Sequence, residues 1–411
     1  MTFQKKNDAL LLVTNYYPYH KGEEYLESEI EYLANEFDKV FIAPTMVQKD
    51  MKKTRKVPNN CQVINTIYSG SKIEKLFQSL KRTNMCKEKN IKYRIYTNYF
   101  ENRSQLMANK VLNQLDGTDF LEYENHVIYS YWLYTTARIS VILKEKLIPS
   151  SKVVTRAHRY DLYEEESPFK FLPLREKLLE DLDYVYPCSD DGTNYLKEKY
   201  PLFSNKIITK RLGTEAPKKM NNLLENGVVH IVSVSACRKV KRLDRIIESL
   251  KILNDNNIKF YWTHIGDGPE KENLLDMAKE YLPTESFRFL GFLPNAEVKA
   301  FYERNSVDLF LNVSESEGVP VSIMEAMSYG IPIIATDVGG TREIVKNKVN
   351  GYLIKKDFSN EELLRIIMKY CATNSSEKIE IRNKSFEIWN NYSNCTNLYK
   401  DFSIKLKKRI Y

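Results

Sequence analysis

Seven residues separate two glutamates, Glu317 and Glu325, in the segment DLFLNVSESEGVPVSIMEAMSYGIPIIATDVGGTREIV. A strand is predicted to end near Val313 and a helix to begin at Pro320, so Glu317 lies in a loop and Glu325 in the helix. The first N–H groups of such a helix and its dipole favour an anion. Carboxylates beside an anion site suit a neutral polyol, because each oxygen can accept an O–H from vicinal sugar hydroxyls. The pattern predicts a site for an activated sugar.

Basic residues follow another predicted strand, in the segment SVSACRKVKRLDRII. They are Arg238, Lys239, Lys241 and Arg242. A sugar that leaves a nucleoside diphosphate transfers extra negative charge to the phosphates, so cations or oriented N–H groups must already be in place. Such a run is also typical of a solvated surface, and its place directly after a strand is what favours a phosphate site.

Strand-like runs that alternate with helical segments must position these residues. Seven runs occur in the first half of the chain, at 10–15, 39–44, 61–65, 126–131, 152–158, 184–189 and 206–212. Six follow in the second half, at 230–235, 259–266, 287–293, 308–314, 331–337 and 351–356. Continuous apolar strands between amphipathic helices indicate parallel sheets covered on both faces. The sequence therefore predicts an α/β chain of two doubly wound, Rossmann-like domains that face each other across a cleft.

The polar stretch 214–227, with Pro217 and Gly227, is the predicted linker. We expect an acceptor-side domain at 1–215, a donor-binding domain at 216–390, and a C-terminal helix at 391–411 that crosses back to the first domain.

Composition limits the functional classes. The net charge of +8 favours anionic partners such as nucleotides, phosphorylated lipids or a membrane surface. No basic helix or aromatic pattern of the nucleic-acid-binding type accompanies it, so nucleic acid is not a predicted partner. Nothing in the sequence approaches the length of a membrane-spanning apolar segment, and we expect a cytoplasmic protein.

The segment SEGVPVSIMEAMSYGIPIIATDVGGTREIV resembles the EX7E retaining glycosyltransferases of the GT-B fold, the group 1 proteins of family 4. Four N-terminal segments resemble landmarks of the subgroup that assembles bacterial exopolysaccharide and capsule. They are YPYHKGEEYLESEI (17–30), YSYWLY (129–134), TRAHRYDLYEEE (155–166) and PCSDDGTNYL (187–196).

The resemblance implies roles in the second domain. Glu325 would bind the ribose hydroxyls and Glu317 the transferred sugar, with Lys241 on the phosphates. The family's usual arginine falls at Ala236, so Arg238 is the expected substitute. The backbone of Gly318, Val319, Pro320 and Val321 would face the donor, and Phe292 and Leu293 would face the nucleobase.

In the first domain, the resemblance places Gly22 in a phosphate-contacting loop and His158 beside the reacting sugar. His158 would position the sugar or stabilise charge there, although a purely structural histidine is also consistent with the sequence. Asp161 would orient His158 or bind acceptor hydroxyls, and Trp132 would lie on the acceptor side. The predicted catalytic residues are thus Glu317, His158 and Lys241.

The resemblance implies transfer of a hexose, with retention, from a UDP- or GDP-sugar to a saccharide or lipid-linked saccharide in cell-surface polysaccharide synthesis. Two alternatives stay open: transfer to soluble sugars, and a nucleotide-sugar-binding protein without turnover. No cofactor or metal is expected, since lysine and helix N-termini supply the charge. The triplet Asp181-Leu182-Asp183, at the end of a helical stretch, is interpreted as a chance match to a metal-binding pair.

Residues 72–82, KIEKLFQSLKR, place apolar side chains at helical spacing among lysines and an arginine. A basic amphipathic helix of this kind can lie on an anionic bilayer, which would attach the protein to the inner face of the plasma membrane. An ordinary helix that packs its apolar stripe onto the sheet fits the sequence equally well.

Overall fold

The computed structural model describes residues 6–19, 22–67, 70–223 and 227–408. Predictions that fell on 20–21 in the 17–30 segment, on 224–226 in the linker, on 409–411 and on the side chain of Lys72 lie outside this description. The chain divides into an N-terminal unit, residues 1–212 with 397–411, and a C-terminal unit, residues 213–396.

The N-terminal unit contains a six-stranded parallel sheet in the order β3-β2-β1-β4-β5-β6. The strands are β1 (Asp8–Thr14), β2 (Lys39–Pro44), β3 (Cys61–Val63), β4 (Asn125–Ser130), β5 (Lys152–Ala157) and β6 (Tyr184–Pro187). The helices are α1 (Leu26–Glu36), α2 (Lys72–Leu80), α3 (Ile91–Leu115), α4 (Thr135–Lys146), α5 (Arg159–Leu162), α6 (Arg175–Asp181) and α7 (Asp190–Lys199).

The C-terminal unit repeats this topology with the order β12-β11-β10-β7-β8-β9, again parallel. The strands are β7 (Val229–Val234), β8 (Phe260–Ile265), β9 (Phe287–Phe289), β10 (Leu309–Asn312), β11 (Ile333–Thr336) and β12 (Gly351–Ile354). The helices are α8 (Leu243–Asp255), α9 (Lys271–Tyr281), α10 (Asn295–Arg304), α11 (Val321–Ser328), α12 (Thr341–Ile344), α13 (Asn360–Ala372) and α14 (Ser375–Tyr392). A final helix, α15 (Cys395–Lys408), carries Phe402 and Leu406 into the core of the N-terminal unit.

The strands are continuous apolar runs in the sequence because they are buried in the structure. The central strand β1 has five consecutive residues, Ala9–Val13, with no exposed surface, because helices cover both faces of a parallel sheet. The strand predicted at 206–212 is wrong. Ile207 forms only an isolated bridge to Val185 on β6, so this segment follows the sheet edge without becoming a seventh strand.

In doubly wound sheets, ligand sites lie beyond the carboxyl ends of the strands, at the point where the strand order reverses. That switch point falls between β1 and β4 in the N-terminal unit and between β7 and β10 in the C-terminal unit. The loops that follow these four strands contain most of the predicted site residues.

Candidate functional site

An ion pair spans the switch point of the C-terminal unit. Lys241, from the turn after β7, donates to Oε1 of Glu317, from the loop after β10, over 2.6 Å. Asn312, the last residue of β10, donates to the same oxygen over 3.2 Å. Two residues predicted from separate motifs are therefore brought into direct contact. A lysine and a carboxylate at this place can bind an anion and a hydroxyl side by side.

The loop that carries Glu317 is fixed from behind by two glycines. The N–H of Gly340 donates to the carbonyl of Gly318 over 2.9 Å. A Cβ atom on Gly339, whose φ is +50°, would lie 2.0 Å from the carbonyl oxygen of Glu317. Only glycine allows this approach, so the paired glycines act by holding the Glu317 loop against the next loop.

Glu325 lies on α11, which begins at Val321, one residue later than predicted, with Pro320 as its N-cap. Its carboxylate is buried and accepts a hydrogen bond from the side chain of Asn295. Burial raises the pKa of Glu325, while Asn295 and the charge of Lys299 act against that rise. Glu325 thus accepts from a different side chain than Glu317 does.

A cavity of about 100 Å³ adjoins Glu325. It is lined by Glu325, Ser328, Tyr329, Lys299, Glu303 and the segment 214–218. Sequence reasoning missed both Asn295 and this segment, since neither belongs to a recognisable motif.

The remaining residues that were predicted to bind the sugar donor differ in their surroundings. Val319, Val321 and Leu293 pack their side chains against the core and remain partly exposed. Phe292 and Arg238 are exposed. Arg242 donates to the carbonyl of Lys356 and lies 5.0 Å over the ring of Phe358, so its guanidinium stabilises the fold locally.

His158 follows β5 in the N-terminal unit and packs between two aromatic rings. Its ring centroid lies 4.8 Å from that of Tyr131 and 4.5 Å from that of Trp132. Neither ring nitrogen has a hydrogen-bond partner within the described part of the chain. Burial, with the charge of Arg156, lowers the pKa of His158 to about 3. The imidazole is therefore neutral at physiological pH.

Asp161 is buried behind His158. Its carboxylate accepts the backbone N–H of His158 over 2.6 Å and the backbone N–H of Leu133. Burial raises the pKa of Asp161 to about 7, and the nearby charge of Arg175 acts against that rise. Of its two predicted roles, this geometry favours orientation of the His158 turn, because the side chain is buried and each carboxylate oxygen already accepts a backbone N–H.

Glu23 is a buried carboxylate that sequence reasoning missed. It accepts the backbone N–H groups of Asn15, Tyr16 and Tyr17 over 2.7 to 2.8 Å. It also accepts the indole N–H of Trp132 over 2.7 Å, which joins the loop after β1 to the loop after β4. Glu23 itself has a φ of +59°, and the preceding Gly22 has one of +95°. Gly22 therefore enables the turn that brings Glu23 inward.

Asp183 of the Asp181-Leu182-Asp183 triplet is engaged in structural contacts. It accepts from Lys144 over 2.9 Å, from Lys152 over 3.2 Å and from the N–H of Val153 over 2.8 Å. Across the four described ranges, no cluster of three or more His, Cys, Asp or Glu side chains is arranged to hold a metal ion.

Comparison with known proteins agrees with this arrangement. Residues 216–385 match the model of the family glycosyl transferases group 1. The putative colanic acid biosynthesis glycosyltransferase WcaL of Escherichia coli K12 is 27% identical over 221 residues, which cover 52% of this chain and 54% of WcaL. The O-antigen biosynthesis glycosyltransferase WbnH of Escherichia coli is 38% identical over 174 residues, 42% of this chain and 46% of WbnH. The chain thus spans about half the length of the curated relatives it matches.

Among solved structures, Anabaena HepE in complex with UDP superposes with a TM-score of 0.63. The two chains are 15% identical, and the superposition covers 98% of this chain and 100% of HepE. At this identity the match shows the fold, and it confirms the predicted α/β architecture. Residues 216–385 are thus similar to the group 1 glycosyltransferases, and the chain has the GT-B fold.

Proposed function

We propose that the protein transfers a hexose, with retention of anomeric configuration, from a nucleoside-diphosphate sugar to a saccharide acceptor in bacterial cell-surface polysaccharide synthesis. The observation that carries this proposal is the Lys241–Glu317 ion pair at the switch point, with Glu325 on the helix that follows. The names of WcaL and WbnH support the polysaccharide assignment, and the UDP bound to HepE supports a nucleotide donor.

The donor would be bound through complementary groups of the C-terminal unit. Lys241, Arg238 and the first N–H groups of α11 would hold the diphosphate, because a cation and a helix N-terminus both stabilise negative charge. Glu317 would accept sugar hydroxyls once Lys241 turns towards the phosphates. Glu325 would accept the ribose hydroxyls.

In the reaction, the bond between the anomeric carbon and the diphosphate oxygen breaks, and a bond to the acceptor oxygen forms on the same face of the sugar. The acceptor's proton passes to the leaving phosphate oxygen, so no separate protein base is needed. A neutral His158 can hydrogen-bond a sugar hydroxyl but carries no charge at physiological pH. Its proposed role is therefore positioning. We also propose that the reaction requires neither a metal ion nor a cofactor.

A donor panel tests this proposal. UDP- and GDP-sugars are incubated with single-sugar octyl glycosides as acceptors, and products are analysed by mass spectrometry and by NMR of the anomeric linkage. The expected product keeps the anomeric configuration of the donor, and EDTA leaves the rate unchanged. An inverted linkage would refute retention. Donor binding without any transfer or hydrolysis would favour the non-catalytic alternative that the alanine at position 236 keeps open.

Helix α2 supports a lipid-linked acceptor. Its apolar residues Ile73, Leu76, Phe77 and Leu80 are 59 to 79% exposed. The C-terminal end of the helix is held by Asn102 of α3, which donates to the carbonyls of Gln78 and Lys81. Because its apolar residues are exposed, the stripe does not pack onto the sheet, and an exposed apolar stripe of this kind is typical of interfacial helices.

Charge around this face favours an anionic surface. Residues 70–95 contain eight Lys and Arg residues against two Glu, a local net charge of +6. Each basic residue near an anionic bilayer contributes about 1 kcal/mol to attraction. We propose that α2 attaches the protein to the inner face of the plasma membrane. No helix in the described ranges is long and apolar enough to cross a membrane.

Vesicle flotation tests the attachment. Wild type is expected to float with phosphatidylglycerol-containing vesicles and not with pure phosphatidylcholine vesicles. The double variant Leu76→Glu, Phe77→Glu should remain at the bottom of the gradient. Leu202→Glu, a change at a highly exposed leucine outside this face, is the matched control and should float like wild type. Equal flotation of both variants would contradict the assignment of α2.

A further inference from the structure

A group of aromatic side chains in the N-terminal unit forms a surface that the functional assignment above does not use. The ring of Tyr93 stacks on that of Phe171 with centroids 4.3 Å apart and planes at 8°. Tyr96 contacts Phe169 edge to face at 5.6 Å. These four rings, together with Tyr160, are called the aromatic ledge.

Two members of the ledge are exposed to an unusual degree. Phe169 is 59% exposed and Tyr160 is 53% exposed. An aromatic ring normally contributes to folding by burying its faces, so a group of exposed rings indicates a surface used for binding.

The backbone at the exposed residue Phe169 is strained. Phe169 and Lys170 have φ values of +63° and +51°, two consecutive non-glycine residues in the left-handed region. Each such residue costs about 1 to 2 kcal/mol. Strain of this kind tends to persist at functional positions.

The ledge is connected to the His158 region by two short chain segments. Tyr160 lies two residues after His158, on α5. Tyr134 lies two residues after Trp132, and its hydroxyl hydrogen-bonds that of Tyr96. Burial, with the hydroxyl of Tyr160, raises the pKa of Tyr96, and the hydrogen bond with Tyr134 acts against that rise.

The segment that carries Tyr160 and Phe169 differs in the sign of its charge from the α2 face. Residues 159–170 contain four acidic residues and two basic ones, whereas residues 70–95 carry a net charge of +6. Asp161 is buried, whereas Glu165 and Glu166 are exposed, and exposed carboxylates disfavour an anionic bilayer. Aromatic faces beside carboxylates instead suit a neutral polyol, whose C–H face packs on a ring while its hydroxyls donate to oxygens.

We propose that the aromatic ledge is the subsite for the saccharide portion of the acceptor. The inference rests on the proposed glycosyl transfer and deepens it. The pyranose face of the acceptor would lie on Phe169 and Tyr160, while a lipid portion would extend towards the bilayer-binding face of α2. Helix α3 links the two, because it carries Tyr93 and Tyr96 of the ledge and the side chain of Asn102 that holds α2.

Saturation-transfer NMR on the full chain tests the ledge. The probes are octyl glycosides of glucose, galactose, mannose and N-acetylglucosamine, with UDP and GDP as probes of the donor site. In wild type, saturation of protein aromatic protons should reach the pyranose ring protons of at least one glycoside. Phe169→Ala and Tyr160→Ala should each weaken glycoside binding about tenfold, the equivalent of about 1.4 kcal/mol. Phe169→Tyr should restore it, because the ring face is kept.

The controls separate this proposal from the proposed function. Tyr392→Ala, a change at an exposed aromatic residue in the C-terminal unit, should bind glycosides as wild type does. Saturation transfer from the protein to UDP or GDP should be equal in wild type and in all of these variants. If wild type transfers no saturation to either nucleotide, the proposed nucleotide-sugar site is refuted instead. Three outcomes, each with nucleotide bound to the protein, would contradict the proposed acceptor subsite. Glycoside binding could be absent, it could be unaffected by the ledge variants, or it could involve only the octyl chain.

Discussion

The two units have the same strand topology and place a carboxylate at the same switch point, yet they use it differently. In the N-terminal unit, Glu23 accepts three backbone N–H groups and the Trp132 indole. In the C-terminal unit, Glu317 accepts from the side chains of Lys241 and Asn312. Backbone donors cannot turn away without unfolding a loop, whereas a lysine or an asparagine side chain can exchange its partner for a ligand.

The buried carboxylates beside the switch points follow the same division. Asp161 accepts two backbone N–H groups, and Glu325 accepts the side chain of Asn295. Burial alone therefore does not separate a structural carboxylate from the one proposed to bind substrate. We propose that the type of hydrogen-bond donor that the carboxylate faces separates them, and this proposal has measurable consequences.

The largest expected effect is on catalysis in the C-terminal unit. Lys241→Ala should lower kcat/KM for transfer by about 100- to 1000-fold, because the leaving diphosphate loses its main cation. The thermal midpoint should change little, since the ion pair retains some exposure to solvent. Lys259→Ala, at the amino end of β8 and so at the opposite end of the sheet, is the control and should retain wild-type rates. Similar losses from both variants would remove Lys241 from the site.

A matched pair of Glu→Gln variants tests the comparison directly. Glu23→Gln should destabilise the N-terminal unit by about 2 to 4 kcal/mol, because an amide NH₂ replaces an oxygen that accepts buried N–H groups. Glu325→Gln should leave the thermal midpoint nearly unchanged and weaken binding of the nucleotide sugar about tenfold. Thermal unfolding and titration calorimetry measure the two effects. If both variants lose the same stability, the type of hydrogen-bond donor does not separate a structural carboxylate from a substrate-binding one.

The smallest expected effect is a pH dependence from His158. Its folded pKa of about 3 lies below the unfolded value, so below pH 6.5 the unfolded chain binds more protons and stability falls as the pH falls. Between pH 7 and pH 5 this loss amounts to about 2 kcal/mol, and it should be absent from His158→Asn.

The measurement is the fall in thermal midpoint between pH 7 and pH 5. The fall in the variant is subtracted from the fall in wild type. Asp161, whose pKa is raised to about 7, has the opposite effect on stability. Its buried carboxyl group loses its proton as the pH rises towards 7, and the buried charge lowers the free energy of unfolding. It is present in both proteins and cancels from the difference. An equal fall in both proteins would contradict the neutral, buried state assigned to His158.

Motifs made of neighbouring residues could be predicted from the sequence. The glutamate pair, the lysine after β7 and the alternation of strands and helices depend on local spacing, and the alternation correctly indicated the fold. The strand predicted at 206–212 failed because an apolar run can follow a sheet edge without forming a ladder. Helix α2 remained ambiguous in sequence because an apolar stripe looks the same whether it is packed or exposed.

The amino-acid sequence by itself determined the two doubly wound sheets and the residue types in the loops that follow their strands. Only the tertiary structure decided the partners. Glu23 accepts an indole N–H from a residue 109 positions away, and Glu317 accepts from a lysine 76 positions away. Aromatic residues from α3, α5 and the segment before α6 likewise meet only in the folded chain. Hydrogen bonding depends on distance in space, and parallel strands bring residues that are distant in sequence to one edge of a sheet.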